Sequence, residues 1–170
     1  MNRNSHALFV NGIPAAGKST VTTAVMRLDS RFTVVDGDKI VRRTPYRLRP
    51  QRGPQIWTEV LDEVDRQLKH GDTLLDFTMT AGQVLEARSH FLGRSTFVIL
   101  RIDEPTRTAR QRERDRRGNR LGFPWKQQYH QMPGSDDLYD LVLPGEGPRP
   151  VDSARAIIDL VDSQSSATTT

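Results

Sequence analysis

The stretch "NGIPAAGKST" (residues 11–20) contains a glycine, four free positions and then glycine, lysine and serine. It follows an apolar run and precedes a helical pattern, the context in which such a loop wraps the phosphates of a nucleotide. Backbone N–H groups and the positive end of the helix attract phosphate oxygens there. We expect Lys18 to bridge the β- and γ-phosphates of ATP, and Ser19 to supply an oxygen to Mg²⁺. The candidate nucleotide-binding residues of this loop are Gly12, Ala15, Ala16, Gly17, Lys18, Ser19 and Thr20.

Three aspartates follow apolar runs that we predict to be strands. Asp36 and Asp38 lie in "VVDGDKI", and Asp76 ends "TLLD". Ligands of a parallel sheet bind outside the carboxyl ends of its strands, so these side chains should face the phosphate loop. We expect Asp38 to accept the proton of a substrate hydroxyl, Asp36 to contact substrate, and Asp76 to hold Mg²⁺ or a substrate hydroxyl. The alternatives are that Asp38 only caps a helix and that Asp76 is a polar strand end.

An arginine-rich segment, "TRTARQRERDRRGNRLG", begins after Pro105 and contains almost no apolar stripe. Most of its helix therefore cannot face a core. We predict a mobile lid over about residues 107–122, whose arginines neutralise the transferring phosphoryl group and exclude water. The alternative is a solvated helix with ion pairs between successive turns. We expect at most two or three of these arginines to contact phosphate, and Arg110 is the candidate contact of the nucleotide.

The segment 42–54, "RRTPYRLRPQRGP", contains three prolines and a glycine. This composition predicts an exposed loop or short insertion, which we expect to form the wall of the substrate pocket. Arg42 and Tyr46 are its candidate substrate contacts. Trp57 is a further candidate just beyond the loop, although a tryptophan on an apolar helix face is more often part of the core.

The elements that must position these residues alternate between strands and helices. The predicted strands are Ala7–Val10, Thr33–Val35, Thr73–Phe77, Phe97–Ile102 and Leu141–Leu143. Residues with helical spacing separate them, including an i, i+4 stripe from Ile56 to Leu68. The pattern predicts an α/β fold with a five-stranded parallel sheet flanked by helices. We expect a single domain over residues 1–163 and a disordered polar tail over 164–170.

Composition limits the partners. The chain has 170 residues, a net charge of +4 and no cysteine, so it offers neither disulfides nor thiolate metal sites. It has no apolar run that could span a membrane and no secretory signal, which predicts a cytoplasmic protein. The positive charge is concentrated in the arginine-rich segment, so we expect a small-molecule partner and neither nucleic acid nor membrane. Nothing in the sequence indicates an oligomeric state.

Six motifs occur in an order that resembles chloramphenicol phosphotransferase-like kinases, a group of small phosphate-loop enzymes. They are "NGIPAAGKS", "VDGDKI", "ILRID", "RERDRRGNRLG", "KQQY" and "YDLVL", from about Leu8 to Leu143. The resemblance implies a P-loop kinase fold, related to that of shikimate and nucleoside monophosphate kinases. It also implies ATP-dependent phosphorylation of a hydroxyl on a small, antibiotic-like molecule, in resistance or biosynthesis. It also implies that Asp38 is the base, that Lys18 and Ser19 bind phosphate and Mg²⁺, and that Arg114, Arg117 and Arg120 (or Arg116 in another register) are the lid arginines. The segment 42–54 matches no part of that family.

Four other functions stay open at this point, one of them a non-catalytic protein that only holds a nucleotide. "DGDK" also resembles adenylyl-sulfate kinases, so a kinase of adenylyl sulfate or of a nucleoside-type metabolite is the first alternative. A polynucleotide kinase is a weaker one, because the basic residues are clustered rather than interleaved with aromatic residues over a face. A nucleotide switch or motor is disfavoured, since the sequence has no Asn-Lys-x-Asp guanine-binding motif and is short for a motor.

Overall fold

The computed structural model describes residues 5–116 and 133–167 of the 170-residue chain. Its strands, in chain order, are β1 (Ala7–Asn11), β2 (Phe32–Asp36), β3 (Asp72–Asp76), β4 (Ser95–Arg101) and β5 (Leu141–Pro144). They form one sheet in the spatial order β2-β3-β1-β4-β5. Every pair of neighbours is parallel, with Leu8 opposite Leu74 on one side and opposite Thr96 on the other. The predicted five-stranded parallel sheet is confirmed.

Helices cover both faces of this sheet. They are α1 (Lys18–Leu28), α2 (Gly37–Arg43), α3 (Arg49–Leu68), α4 (Ala81–His90), α5 (Glu104–Arg116) and α6 (Pro150–Ala167), with short 3₁₀ helices at Tyr46–Leu48 and Asp136–Leu138. Each parallel connection passes through at least one helix, as parallel strands require. Because β1 is central, the loop between β1 and α1 lies in the middle of the sheet's carboxyl edge.

Alternate side chains of each strand feed two separate cores. Phe9, Leu75 and Phe97 point to one face, where they pack with α3 and α4. Leu8, Leu74 and Val98 point to the other face and pack with α1 and α6. Burying each such side chain stabilises the fold by about 1.5–3 kcal/mol. The central strands are therefore held from both sides, which fixes the edge from which the phosphate loop projects.

The segment 42–54 is largely helical, so its prediction as a loop is wrong. Residues 42 and 43 end α2, and α3 begins at Arg49 and continues through Pro54. Pro50 stands in the first turn, where the missing N–H costs nothing because no carbonyl of the helix would accept from it. Residues 51–55 are exposed, so water can reach the backbone that Pro54 leaves unpaired. Only Thr44 and Pro45 lie between helical elements.

The carboxyl-terminal segment also differs from its prediction as a disordered tail from residue 164. Helix α6 continues to Ala167, and the side chain of Gln164 accepts a hydrogen bond from the Thr96 hydroxyl of β4. That contact ties the last turn to the sheet. Across the described ranges, no helix has the length and apolar character needed to cross a membrane.

Candidate active site

The phosphate loop joins β1 to α1 and takes backbone conformations that suit anion binding. Gly17 is the N-cap of α1 with φ 100, in the left-handed region that favours glycine. Ala15 has φ 72, and such a conformation in a residue other than glycine stores strain, a feature concentrated at ligand sites. Helix α1 begins at Lys18 as predicted. Its N–H groups and positive end therefore point out of the carboxyl edge of the sheet.

Lys18 folds back over its own loop. Its Nζ donates to the carbonyl of Gly12 at 2.7 Å and to Oγ1 of Thr78 at 3.0 Å. The Thr78 hydroxyl also donates to the Gly12 carbonyl, at 3.0 Å. Burial lowers the pKa of Lys18, while Asp76 and Asp38 act in the opposite direction. The ammonium is thus held beside two carboxylates at the point where phosphates would enter.

Asn11 sets the position of the loop's first peptide. It is completely buried, and its Oδ1 accepts from the N–H of Gly12 at 2.7 Å and from the N–H of Met79 at 2.9 Å. Its Nδ2 donates to the Met79 carbonyl at 3.1 Å and to the Tyr139 hydroxyl at 2.6 Å. Tyr139 donates in turn to the carbonyl of Pro133 at 2.6 Å. One side chain therefore joins the phosphate loop to the exit of β3 and to the residues before β5.

The aspartates after β2 have different environments. Asp36 is the N-cap of α2 and accepts from the N–H of Lys39 at 3.1 Å, so the helix cap is Asp36 rather than Asp38. Asp38, in the first turn of α2, makes no hydrogen bond or ion pair with any described residue. The glycine between them is required by packing, because a Cβ at Gly37 would come within 2.5 Å of the Phe77 ring. Asp38 is therefore positioned by its helix while its carboxylate stays available.

Asp76, the last residue of β3, interacts with Lys18 and with the hydroxyl of Ser19. Burial raises the pKa of Asp76, and Lys18 and the neighbouring Ser19 hydroxyl counteract this effect. Asp38 and Asp36, which line the same cavity, add to the rise. A carboxylate beside a hydroxyl supplies the oxygen ligands that Mg²⁺ prefers.

These side chains surround one cavity of about 1130 Å³. That volume has room for a nucleotide and a second small molecule, since single-ligand pockets are typically about 300–1000 Å³. The predicted site residues in its wall are Ala15, Ala16, Gly17, Lys18, Ser19, Thr20, Asp36, Asp38, Arg42, Asp76, Arg110 and Arg114. Gly12 contributes through the carbonyl that holds Lys18. Most of the candidates from distant parts of the sequence therefore converge.

Two arginines of α5 reach the cavity. Arg110 donates from Nη1 to the carbonyls of Ala15, at 3.2 Å, and Gly145, at 2.8 Å. It therefore joins α5 to the phosphate loop and to the segment after β5. Arg114 lines the cavity without a hydrogen bond or ion pair to any described residue, close enough to Lys18 to help lower the pKa of that lysine.

Other predicted residues do not join the site. Trp57 is in the core, 4% exposed, with its Nε1 donating to Glu86 at 2.9 Å. The Trp57 ring stacks on the ring of Phe77, with 6.2 Å between their centroids. Because Phe77 lines the cavity and Trp57 does not, a role of Trp57 as a substrate contact is not supported. The side chain of Tyr46 and the whole of Arg117 and Arg120 lie outside the described residues.

Two contributors lie outside the predicted site residues. Thr78 follows Asp76 by two residues, and residues 145–148 follow β5; both line the cavity. A polar residue just after a predicted strand is a usable signal for Thr78. The position of residues 145–148 depends on which elements meet in space, and no local pattern marks them. Arg42 and Arg49 also line the cavity, so the segment 42–54 contributes to its wall although it is helical.

Comparison with known proteins agrees with this fold. A family model described as "AAA domain" matches residues 8–130. A search of curated protein sequences finds no significant match. Among solved structures, a gluconokinase from Sinorhizobium meliloti superposes with a TM-score of 0.70 at 15% identity, covering 98% of this chain and 97% of that one.

Two further solved structures have the same fold. The APS kinase CysC of Mycobacterium tuberculosis, in complex with AMPPNP and APS, gives a TM-score of 0.71 at 16% identity, covering 94% of this chain and 98% of that one. The tunicamycin resistance protein of Deinococcus radiodurans gives a TM-score of 0.67 at 14% identity, covering 92% of this chain and 95% of that one. At these identities the likeness shows the P-loop kinase fold over nearly the whole length of each chain.

Proposed function

The chain belongs to the AAA-domain family, and from that premise we propose that it is an ATP-dependent kinase that phosphorylates a hydroxyl of a small molecule. One observation carries the proposal: one cavity brings the phosphate loop and Lys18 together with the carboxylate of Asp38, which pairs with no residue of the described ranges. A protein that only held a nucleotide has no need of a free base opposite the phosphates. The kinase fold of the similar solved structures supports the same conclusion.

The donor half of the site binds ATP. The N–H groups from about Ala15 to Thr20 surround the β-phosphate, and the left-handed backbone at Ala15 and Gly17 allows them to converge. Lys18 exchanges the Gly12 carbonyl for phosphate oxygens, and Thr78 remains to satisfy that carbonyl. Arg114 adds positive charge where negative charge develops on the transferred group.

The acceptor half supplies the base. The acceptor hydroxyl oxygen attacks the γ-phosphorus, and the bond from that phosphorus to the β,γ-bridging oxygen breaks. The proton of the hydroxyl passes to a carboxylate oxygen of Asp38, and ADP leaves with the bridging oxygen. The chain's contribution is mostly positioning and charge stabilisation, as in other phosphoryl transfers.

Ser19 and Asp76 fit a magnesium ion. They offer hydroxyl and carboxylate oxygens next to the phosphate loop, and the described ranges contain no cluster of three or more acidic or histidine side chains that would form a closed cage. This agrees with the habit of Mg²⁺ to combine one or two protein oxygens with substrate phosphates and water. When bound, the ion neutralises charge on the β- and γ-phosphates. Ser19 and Asp76 orient it from the protein side.

The narrower parts of the proposal rest on sequence. The resemblance to chloramphenicol phosphotransferase-like kinases implies an antibiotic-like acceptor, and the tunicamycin resistance protein among the similar structures supports that class. The lid over 107–122 is supported by Arg110 and Arg114, which line the cavity; residues 117–122 lie outside the described ranges. A cytoplasmic location stays a prediction.

A substrate panel tests the proposal. Wild-type protein with ATP and Mg²⁺ is offered aminoglycoside, nucleoside, phenicol and peptide antibiotics, adenylyl sulfate and common sugars and nucleosides. Mass spectrometry should detect one phosphate added to an alcohol. An RNA substrate belongs in the panel, since transfer to RNA that falls steeply with salt would instead indicate a polynucleotide kinase.

The Asp38→Asn variant identifies the base. Its rate of transfer should fall about 100- to 10,000-fold, the usual contribution of general base catalysis, while calorimetry should show unchanged AMPPNP binding. Asp62→Asn, at an exposed position of α3, is the matched control and should behave as wild type. Transfer by Asp38→Asn at the wild-type rate would show that another group takes the proton.

A further inference from the structure

The acceptor half of the cavity carries positive charge that the proposed reaction does not use. Arg42, in the last turn of α2, and Arg49, the first residue of α3, both line the cavity with Asp38. Arg42 makes no hydrogen bond or ion pair with any described residue. Deprotonation of a hydroxyl needs only the carboxylate, so the two guanidinium groups that line the same cavity require another explanation.

Arg49 occupies a position that is electrostatically unfavourable for the helix. The first turn of α3 contains no acidic residue, and its N-cap, Leu48, provides no side-chain hydrogen bond. A cation at a helix N-terminus is repelled by the positive end of the helix dipole. The Nε of Arg49 nevertheless donates to the carbonyl of Thr44 at 3.0 Å, which holds the guanidinium in the cavity wall. An anion bound there would be attracted by both the side chain and the helix.

The sheet order separates these arginines from the groups that serve ATP. The phosphate loop follows the central strand β1, and α2 and α3 connect the strands on one side of it, β2 and β3. Arg110 and Arg114 belong to α5, which follows β4 on the other side. Arg42 and Arg49 therefore reach the cavity from the side of α2 and α3, as Asp38 does, whereas Arg110 and Arg114 reach it from α5.

Resting on the proposed kinase function, we propose that the acceptor carries an oxyanion as well as the hydroxyl, and that Arg42 and Arg49 bind this oxyanion. A carboxylate, phosphate or sulfate group would each match the planar donor fork of arginine. Asp38 then faces the hydroxyl at the other end of the acceptor. The inference narrows the substrate class to small hydroxylated acids and excludes neutral alcohols as the preferred acceptors.

Matched pairs of acceptors test the proposal. D-gluconate is compared with D-sorbitol, shikimate with its methyl ester, glycerol 3-phosphate with glycerol, and adenylyl sulfate with adenosine. We expect at least one acid to exceed its neutral partner about 10- to 100-fold in kcat/KM, the scale of a lost hydrogen bond to a charged group. The pairs also distinguish carboxylate, phosphate and sulfate. Equal or better transfer to the neutral member overturns the proposal.

Variants assign the discrimination to these residues. In Arg42→Gln, and more strongly in Arg42→Gln with Arg49→Gln, the ratio of kcat/KM between acid and neutral partner should fall towards one. Arg43→Gln is the matched control, because Arg43 is the next residue of α2, is exposed and does not line the cavity. A ratio unchanged in Arg42→Gln, with a raised KM for ATP instead, would place Arg42 on the donor and overturn the assignment.

A binding measurement decides the case in which no acceptor of the panel is phosphorylated. With AMPPNP and Mg²⁺ filling the donor half, calorimetric titration with inorganic sulfate should show saturable binding. Arg42→Gln should weaken it about tenfold, as loss of one charge-assisted contact does, and Arg43→Gln should not. Absence of sulfate binding, or binding indifferent to Arg42→Gln, contradicts the oxyanion site. Failure of AMPPNP to bind would contradict the kinase proposal itself, so the two are distinguishable.

Discussion

The polar side chains at the two ends of the parallel sheet have different surroundings. At the amino end, where the strands begin, the N–H of His6 donates to Asp72 at 2.9 Å and its Nε2 lies 2.7 Å from the Thr96 hydroxyl. Thr96 in turn donates to Gln164 of α6. Arg31 lies 3.6 Å from Asp72 and 2.5 Å from Asp162. These contacts tie strands β1, β3 and β4 to α6.

At the carboxyl end, where the strands finish, the charged side chains line a cavity. Asp38, Arg42 and Arg114 line the cavity without a hydrogen bond or ion pair to any described residue. Burial raises the pKa of Asp76 and lowers that of Lys18, so each is disfavoured in its charged form. Asn11, which is uncharged, is hydrogen-bonded through both its Oδ1 and its Nδ2.

The difference separates stability from chemistry along one sheet. Paired polar groups at the amino end stabilise the fold, whereas charges at the carboxyl end cost stability in the absence of ligand. Such costs are typical of sites that must bind charged ligands. Substitutions at the carboxyl end should therefore lower activity without lowering the free energy of unfolding. Substitutions at the amino end should lower the free energy of unfolding and leave activity nearly unchanged.

Lys18→Met should have the largest effect. Phosphoryl transfer should fall about 100- to 1,000-fold, as when one donor to a developing negative charge is removed. The free energy of unfolding should not fall, because the lowered pKa of Lys18 means that the fold disfavours the ammonium. Thr78 continues to donate to the Gly12 carbonyl. Steady-state kinetics and denaturant unfolding measure both effects.

Lys69→Met is the control for this variant, since Lys69 is exposed at the end of α3. It should leave both quantities unchanged. A Lys18→Met protein that unfolds much more readily than wild type would mean that Lys18 is structural, and the contrast between the two ends would be lost.

Asp72→Ala should show the reverse pattern. Asp72 accepts from the backbone N–H of His6 and lies beside Arg31, so its loss leaves a partly buried donor unpaired. We expect the free energy of unfolding to fall by about 1–3 kcal/mol while kcat/KM changes less than about twofold. Asp162→Asn breaks the exposed pair with Arg31 and should cost less than about 1 kcal/mol. A large loss of activity in Asp72→Ala would contradict the separation.

How far the sequence predicts this arrangement depends on the range of the interactions. The strands and the start of α1 follow from apolar runs and a local motif, and they are confirmed. The placement of Asp38 and Asp76 at one cavity follows from the rule that parallel strands present their carboxyl ends together. These predictions need only short stretches of chain.

The errors arise where distant segments decide the structure. The prolines of segment 42–54 predict a loop, but Pro50 fits a first helical turn and Pro54 lies on an exposed part of α3. Trp57 joins the core because Phe77 packs beside it. Asn11 reads as a polar strand end, and its role depends on Met79 and Tyr139, far along the chain. Local patterns carry no information about such partners.

Asp76→Asn should sharpen the contrast by raising stability at the cost of function. A raised folded pKa means that the ionised carboxylate costs stability at neutral pH and that this cost disappears as the pH falls below the unfolded value, about 3.9. The variant should therefore be more stable than wild type at pH 7, by an amount that shrinks towards pH 4. The Mg²⁺ concentration for half-maximal activity should rise about 10- to 100-fold. Denaturant unfolding at pH 7 and pH 4 measures the stability difference, and a Mg²⁺ titration of activity measures the second effect. Asp62→Asn is the control for both. An Asp76→Asn protein less stable than wild type at pH 7 would contradict the prediction.

His6 gives the smallest effect, a pH dependence confined to the amino end. Burial lowers the pKa of His6, Asp72 and Asp140 oppose this, and Arg31 adds to it. Below the ordinary histidine pKa of about 6.5, the unfolded chain therefore binds the proton more readily than the folded chain does. The free energy of unfolding then decreases as the pH is lowered, by at most about 1.4 kcal/mol per pH unit. Denaturant unfolding between pH 7.5 and 5 should show a smaller slope in His6→Gln than in wild type. His70→Gln, at an exposed position, should keep the wild-type slope. Equal slopes in all three proteins would contradict this, because they would mean that the amino end of the sheet accommodates an imidazolium as easily as the unfolded chain does.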